Sequence, residues 1–232
     1  MVTPILTYED METLQELVRI LRRAGARSDA TRGCGVHIHI GAKGHTPQTL
    51  RNLANIMASH ESLIAEALDL DHGRMNRYCK TVDPKFLEVL NKKKPDTMAG
   101  FADIWYTTQD AEYGRSHHYN SSRYRMLNYH ATFTKGTIEF RLFQFDAPAD
   151  GKLNGLHAGQ LKSYIQLCLA LSQMAKSVRS ASAKPQQTEN PKYAMRTWLL
   201  RLGFIGEELA TAREVLTRRL SGDAAFRCGC RA

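Results

Sequence analysis

Residues 34–41, Cys34-Gly-Val-His-Ile-His-Ile-Gly41, constrain this chain more than any other stretch. His37 and His39 alternate with Val36, Ile38 and Ile40, and a two-residue period belongs to a strand with one buried face. Such a strand sends both imidazoles to one side and the aliphatic groups to the other. The chain must therefore contain a sheet with a polar face and a core face. A second segment, Thr137-Ile-Glu-Phe-Arg-Leu-Phe143, repeats the design: Thr137, Glu139, Arg141 and Phe143 share one face, Ile138, Phe140 and Leu142 the other. A glutamate and an arginine two apart on a strand can simply neutralise each other. Beside the histidines they can do more, because a carboxylate and a neutral imidazole ligate divalent cations and a guanidinium fork fits phosphate oxygens. If the two strands are neighbours, His37, His39, Glu139 and Arg141 line one surface suited to a magnesium-bound nucleotide.

Around these strands the hydrophobic spacing sets out the helices. Residues 8–25 form an amphipathic helix, with Leu14, Leu17, Val18 and Leu21 on one stripe, arginines in the last turns and Gly25 as the stop. Val2 to Leu6 is expected to be a short strand, so the opening is β-α-β. Thr46-Pro47 begins a second helix to about Leu68, with Thr46 as cap and Pro47 in the first helical position. Asp71 to Pro95 holds short helices and a turn at Lys92–Pro95. Residues 108–122 lack periodicity and are expected to be a long loop. The stretch Arg123–Phe133 leads into a strand, and the Lys135-Gly136 turn joins it to strand 137–143 as a hairpin. Leu153 to Ser177 is a helix, 179–190 a polar linker, and 191–202 and 206–219 two closing helices.

Composition narrows the class. The 232 residues suffice for one substantial domain, with or without an appendage. No run approaches the ~20 apolar residues of a membrane helix, and the first residues lack a basic start and an apolar stretch, so a cytoplasmic protein is expected. Five cysteines, odd in number and irregularly spaced (34, 79, 168, 228, 230), do not make a disulfide framework. Cys228-Gly-Cys230 lacks the second pair of ligands a structural zinc needs. The net charge of +9 favours anionic partners. From residue 178 onward ten Lys or Arg face five acids, a net of +5, so nucleic acid is a candidate partner for the C-terminal region.

Several other residues are candidates for the same site. Arg123 and Arg125, two apart, can contact phosphate or carboxylate, or can be a solvated junction between loop and strand. Asn128 and His130 follow. His117 and His118 in the long loop belong to a lid or to the surface. Cys34 has no base at a spacing that marks a nucleophile.

The stretches Val2–Leu6, Ala24–Ala26, Cys34–Gly41, Asn76–Lys80, Ser122–Asn128 and Thr137–Phe143, in that order, resemble the amidoligase family of the carboxylate–amine ligase superfamily, whose fold is akin to glutamine synthetase. The resemblance covers roughly the first two thirds of the chain, and the continuation through Lys162–Ile165 and Pro185–Trp198 is similar to a subgroup met in bacterial mobile elements. It implies an ATP- and Mg²⁺-dependent ligase that phosphorylates a carboxylate to an acyl phosphate and lets an amine displace the phosphate. Carried over residue by residue, His37 and Glu139 look like metal ligands. His39, Arg141 and Asn128 look like nucleotide contacts, and Arg123 or Arg125, with Arg141, resembles the catalytic cations that stabilise the transferring phosphoryl group. Family members usually place a Glu-x-Glu-like strand well before the Val2–Leu6 element. Its absence here implies a truncated product, a chain completed by another polypeptide, or an inactive remnant.

The expectation is thus an α+β fold. A mostly antiparallel, curved and incomplete glutamine synthetase-like sheet is packed by helices on one side over residues 1–178, followed by the 179–190 linker and a basic helical extension, 191–232. Its substrates are a small-molecule or peptide carboxylate and an amine, and an oligomer or a complementing chain is a further expectation. Two other classes stay open: a basic nucleic-acid-binding accessory protein, and a mononuclear metalloenzyme using His37, His39 and Glu139.

Overall fold

The computed structural model describes residues 1–109, 113–147, 155–185 and 188–227. At its centre lies a three-stranded antiparallel sheet: β1 (Val36–Gly41), β2 (Leu127–Asn128) and β3 (Thr137–Phe143), in the order β1-β3-β2. The rule of alternation holds where it matters. Ile38 pairs with Phe140, which pairs in turn with Leu127, and this row faces the core with all three side chains buried. The neighbouring row, His39–Glu139–Asn128, is polar throughout. The β1–β3 register shifts between Val36 and Ile38, an irregularity that falls at His37. The fold is α+β, as the two strand patterns implied.

Helices supply the rest of the core. A short 3₁₀ turn at Tyr8–Asp10 leads into α1 (Met11–Arg23), which buries Met11, Leu14 and Val18 and stops before Gly25 at φ +84. Leu17, expected on the buried stripe, is 40% exposed. In α2 (Pro47–Ala67) the Thr46 side chain accepts from the Thr49 N–H, and Leu50, Leu53, Ile56, Met57 and Ile64 are buried. Three shorter helices follow: α3 (His72–Arg77), α4 (Pro84–Lys93) and α5 (Met98–Thr108). Asp71 and Asp83 cap the first two, and Lys94 takes the left-handed conformation within the anticipated turn. Beyond β3, α7 (Ala158–Ser177) packs on α1 and α2. It begins five residues later than its periodicity suggested, although 153 and 154 lie outside the described residues. α8 (Pro191–Arg201) and α9 (Ala210–Thr217) close the chain. Met195, Trp198, Leu199, Val215 and Leu216 join the same buried cluster as the sheet and α2.

Two expectations are corrected. Val2–Leu6 forms no strand: the segment has no regular structure, with Val2 and Ile5 fully open to solvent. Nor is the chain from Arg123 to β3 a hairpin. Ser121–Arg123 is a 3₁₀ turn, β2 has only two residues, and α6 (His130–Lys135) separates β2 from β3. The cause is local. The Asn128 side-chain oxygen accepts from the His130 N–H, which starts the helix and competes with strand continuation. Gly136, at φ +68, ends it. Helix α5 buries Phe101, Ile104, Trp105 and Thr108 along one stripe, with Tyr106 beside it. Phe86, Phe101, Trp105 and Tyr129 form an edge-to-face cluster with centroids 5.0–6.3 Å apart. The Tyr129 hydroxyl donates to the Leu50 carbonyl at 2.7 Å, anchoring the residue beside Asn128.

Candidate functional site

The polar row converges on one carboxylate. Glu139 is 4% exposed, and its Oε1 accepts from Arg141 Nη1 at 2.7 Å. His37 Nδ1 lies 3.4 Å and His39 Nε2 3.5 Å from the same oxygen. Asn128 Nδ2 donates to Oε2 at 2.6 Å. His39 Nδ1 is 2.9 Å from the Thr137 hydroxyl. When that hydroxyl donates to Nδ1, the ring proton sits on Nε2 and points toward Glu139. The strand pairing therefore brings His37, His39, Asn128, Glu139 and Arg141 together from three strands.

Charge is unbalanced here. Burial pushes the Glu139 carboxyl up, but the His39 hydrogen bond, the Arg141 charge and the Asn128 amide outweigh it and hold the group well below the usual carboxylate range. His37 goes the other way. Burial and the neighbouring Arg141 charge, reinforced by Arg74 and Arg123, bring it down to about 4, against the opposing pull of Glu139. It is thus neutral at pH 7. Glu139 is the one carboxylate in this group, against three guanidiniums. Arg141 is itself 4% exposed, and its Nε is buried without a hydrogen-bond partner. A buried donor without a partner is a costly group that an acceptor would satisfy.

The two arginines that sequence spacing grouped together part company. Arg123 lies by the cluster: its charge acts on His37 and Arg141, and its guanidinium stands over the Tyr124 ring at 5.8 Å. Arg141 stands over the same ring at 5.6 Å. Arg125 is spent elsewhere, on Asp83 at 2.6 Å, Gln109 at 2.9 Å and the Thr81 carbonyl at 3.0 Å. Alternation failed because the residues around 123 form a 3₁₀ turn and not a strand. Arg74 was missed altogether. It is 5% exposed, and its guanidinium donates to neutral acceptors, namely the Gln144 side chain and the Leu142 and Arg141 carbonyls. Gly35 was its signal: a Cβ there would stand 2.3 Å from Arg74 Nη2.

The loop residues flank the site. Arg123 donates to the His118 carbonyl at 3.0 Å, and His118 is close enough to Glu139 for their charges to interact. His130 bonds to the Tyr106 hydroxyl at 2.7 Å, a structural partner. Cys34 makes only a weak contact with the Arg32 carbonyl. Cys228 and Cys230 lie outside the described residues. Two cavities open away from the cluster, about 210 Å³ lined by Ser59, His60, Glu66 and Thr188, and about 290 Å³ lined by Asn76, Lys80 and Arg125.

A self-sufficient metal centre does not fit. Among the described residues no group of three or more His, Cys, Asp or Glu side chains is arranged to hold a metal ion. Magnesium held largely by phosphates does fit, because such ions keep their waters and take one or two protein carboxylates.

Residues 1–172 match the family model described as "Putative amidoligase enzyme". No curated protein and no solved structure matches the chain. Among the described residues no helix is long and apolar enough to cross a membrane.

Proposed function

The chain belongs to the amidoligase family, and from that premise we propose that it joins a carboxylate to an amine at the expense of ATP. The carboxylate oxygen attacks the γ-phosphorus, forming an acyl phosphate and releasing ADP. The amine nitrogen then attacks the acyl carbon, inorganic phosphate leaves, and the nitrogen gives up a proton to yield the amide. Neither step needs a protein nucleophile; both need charge neutralised and groups aligned. The observation that carries this reading is Arg141, buried with an unpartnered Nε in a cluster whose guanidiniums outnumber its carboxylate.

The roles follow from position. Arg141 and His39 contact phosphate oxygens, with Asn128 orienting Glu139 through its 2.6 Å bond. Of the two arginines, Arg123 is the one placed to neutralise charge on the transferring group, since Arg125 is held by Asp83. Glu139 supplies the carboxylate, and neutral His37 a second donor, for a magnesium ion carried on the nucleotide, which when bound screens the triphosphate charge. Cytoplasmic residence, where ATP and magnesium are abundant, belongs to the same proposal.

The test uses hydroxylamine as the amine, with Mg²⁺-ATP and a pool of free amino acids and short acidic peptides. An acyl phosphate yields hydroxamate and ADP in equal amounts, and Arg123→Met reduces both. AMP and pyrophosphate in place of ADP would reject the acyl-phosphate route.

A further inference from the structure

Beside the Glu139 cluster, rings and guanidiniums alternate. Tyr124 carries Arg141 at 5.6 Å and Arg123 at 5.8 Å, and meets Tyr78 edge-on at 6.0 Å. Arg77 stands 5.0 Å over the Tyr78 ring. On the other flank Arg123 also stands 5.6 Å over Tyr119, and His118 meets that ring edge-on at 4.7 Å. The stripe runs outward from buried Arg141 to rings in solvent: Tyr78 is 40% and Tyr119 60% exposed. Among the described residues, neither Arg77 nor Arg123 has a carboxylate within ion-pair distance.

This order matches one ligand chemistry. A bare oxyanion gains from Arg141, Arg123 and His39 but nothing from exposed tyrosines. An aliphatic partner gains nothing from guanidiniums laid against rings. A nucleobase joined to phosphates uses both, since every base has a π-face and aromatic side chains bind it by stacking with little regard to its edge.

We propose that Tyr119, the exposed ring that Arg123 stands over, forms the base platform of a nucleoside triphosphate whose phosphates reach Arg123 and Arg141. This rests on the reading above that the cluster takes a nucleotide's phosphates, and adds where its base lies. Recognition is by stacking area, so purine nucleotides bind better than pyrimidine ones, with weak discrimination between adenine and guanine.

Calorimetric titration of the full chain with ATP, UTP, inorganic tripolyphosphate and a twelve-residue oligodeoxyadenylate tests it. Wild type should bind ATP roughly tenfold more tightly than tripolyphosphate, from one stacked base. Tyr119→Ala should remove most of that advantage and leave tripolyphosphate affinity unchanged, Tyr119→Phe should restore it, and Tyr78→Ala, on the opposite flank, should change neither. Both residues are exposed, so the variants keep the fold, and a thermal melt checks that. Equal affinity for ATP and tripolyphosphate overturns the base platform while the phosphate site stands. Failure of tripolyphosphate to bind wild type at all sinks the phosphate reading and this inference with it. Oligonucleotide binding more than tenfold tighter than ATP, with a steep salt dependence, reassigns the stripe to single-stranded nucleic acid and overturns the proposal.

Discussion

A buried carboxylate and a half-buried one in this protein face opposite surroundings. Glu139 lies among Arg141, His39 and Asn128, which hold its carboxyl far below the ordinary value against the effect of burial. Glu61, on α2, accepts one hydrogen bond from the Val82 N–H at 2.8 Å. Burial pushes it up to about 7, with that bond and the Arg125 charge compensating only in part. The nearby cation does not rescue Glu61 because Arg125 is already paired with Asp83. One region thus has more cationic groups than its acid needs and the other too few. An excess of buried positive charge is unfavourable unless a ligand completes it. That contrast is why the proposed function is placed on the Glu139 region and not on the Glu61 region.

The largest expected effect comes from removing the centre of the first region. Glu139→Ala strands Arg141 in the interior and should cost about 3–5 kcal/mol in urea unfolding at pH 7. A loss below about 1 kcal/mol would break the comparison, since Arg141 would then have water or another acid at hand.

The second region predicts a pH dependence of definite sign. With its folded value raised to about 7 from 4.5, Glu61 binds more protons in the folded chain between those limits. Its contribution to stability is complete below pH 4.5 and lost as pH rises through 7. Glu61→Gln keeps the acceptor for Val82 and should stabilise the protein at pH 8 by roughly 2 kcal/mol, with little change at pH 4.5. Identical wild-type and variant pH profiles of unfolding free energy would count against it. Glu139 has the reverse sign: its depressed carboxyl contributes stability above the ordinary carboxylate range, lost as pH falls below it.

Gly35→Ala sharpens the comparison by testing Arg74 as part of the surplus. The new Cβ displaces the buried guanidinium, at a cost of about 1–3 kcal/mol, and should weaken tripolyphosphate binding in calorimetry. The smallest effects separate neighbours. Arg125→Met leaves Asp83 and Gln109 without their partner and should cost about 1–2 kcal/mol, with anion binding intact. Arg123→Met should alter stability by under about 0.5 kcal/mol and weaken anion binding several-fold. Swapped outcomes would return Arg125 to the site.

The site's strands were legible because a two-residue period needs no knowledge of partners. His37, His39, Glu139 and Arg141 could each be assigned a face from sequence, and β1–β3 pairing then brought them together. Helices α1 and α2 were legible for similar reasons, since caps and stops stand at their ends. What escaped was set by tertiary context. Strand β2 is too short to alternate, and Asn128, whose side chain accepts from the His130 N–H at the start of α6, is also a site residue. Arg74 reaches Gly35 from across the sequence, so no spacing could announce it. The ring-and-guanidinium stripe is assembled from residues 77–78, 118–124 and 141, which are interleaved only in space.

The central claim is that nucleotide phosphates bind beside His37 and His39. Histidine side-chain resonances, assigned with His37→Gln and His39→Gln, report on this directly as Mg²⁺-ATP is added at pH 7. The His37 and His39 signals should shift saturably. His45, bonded to Ser172, and His60, stacked on Trp198, should stay in place. Movement at His60 with none at His37 or His39 would contradict the account and direct attention to the cavity beside α8.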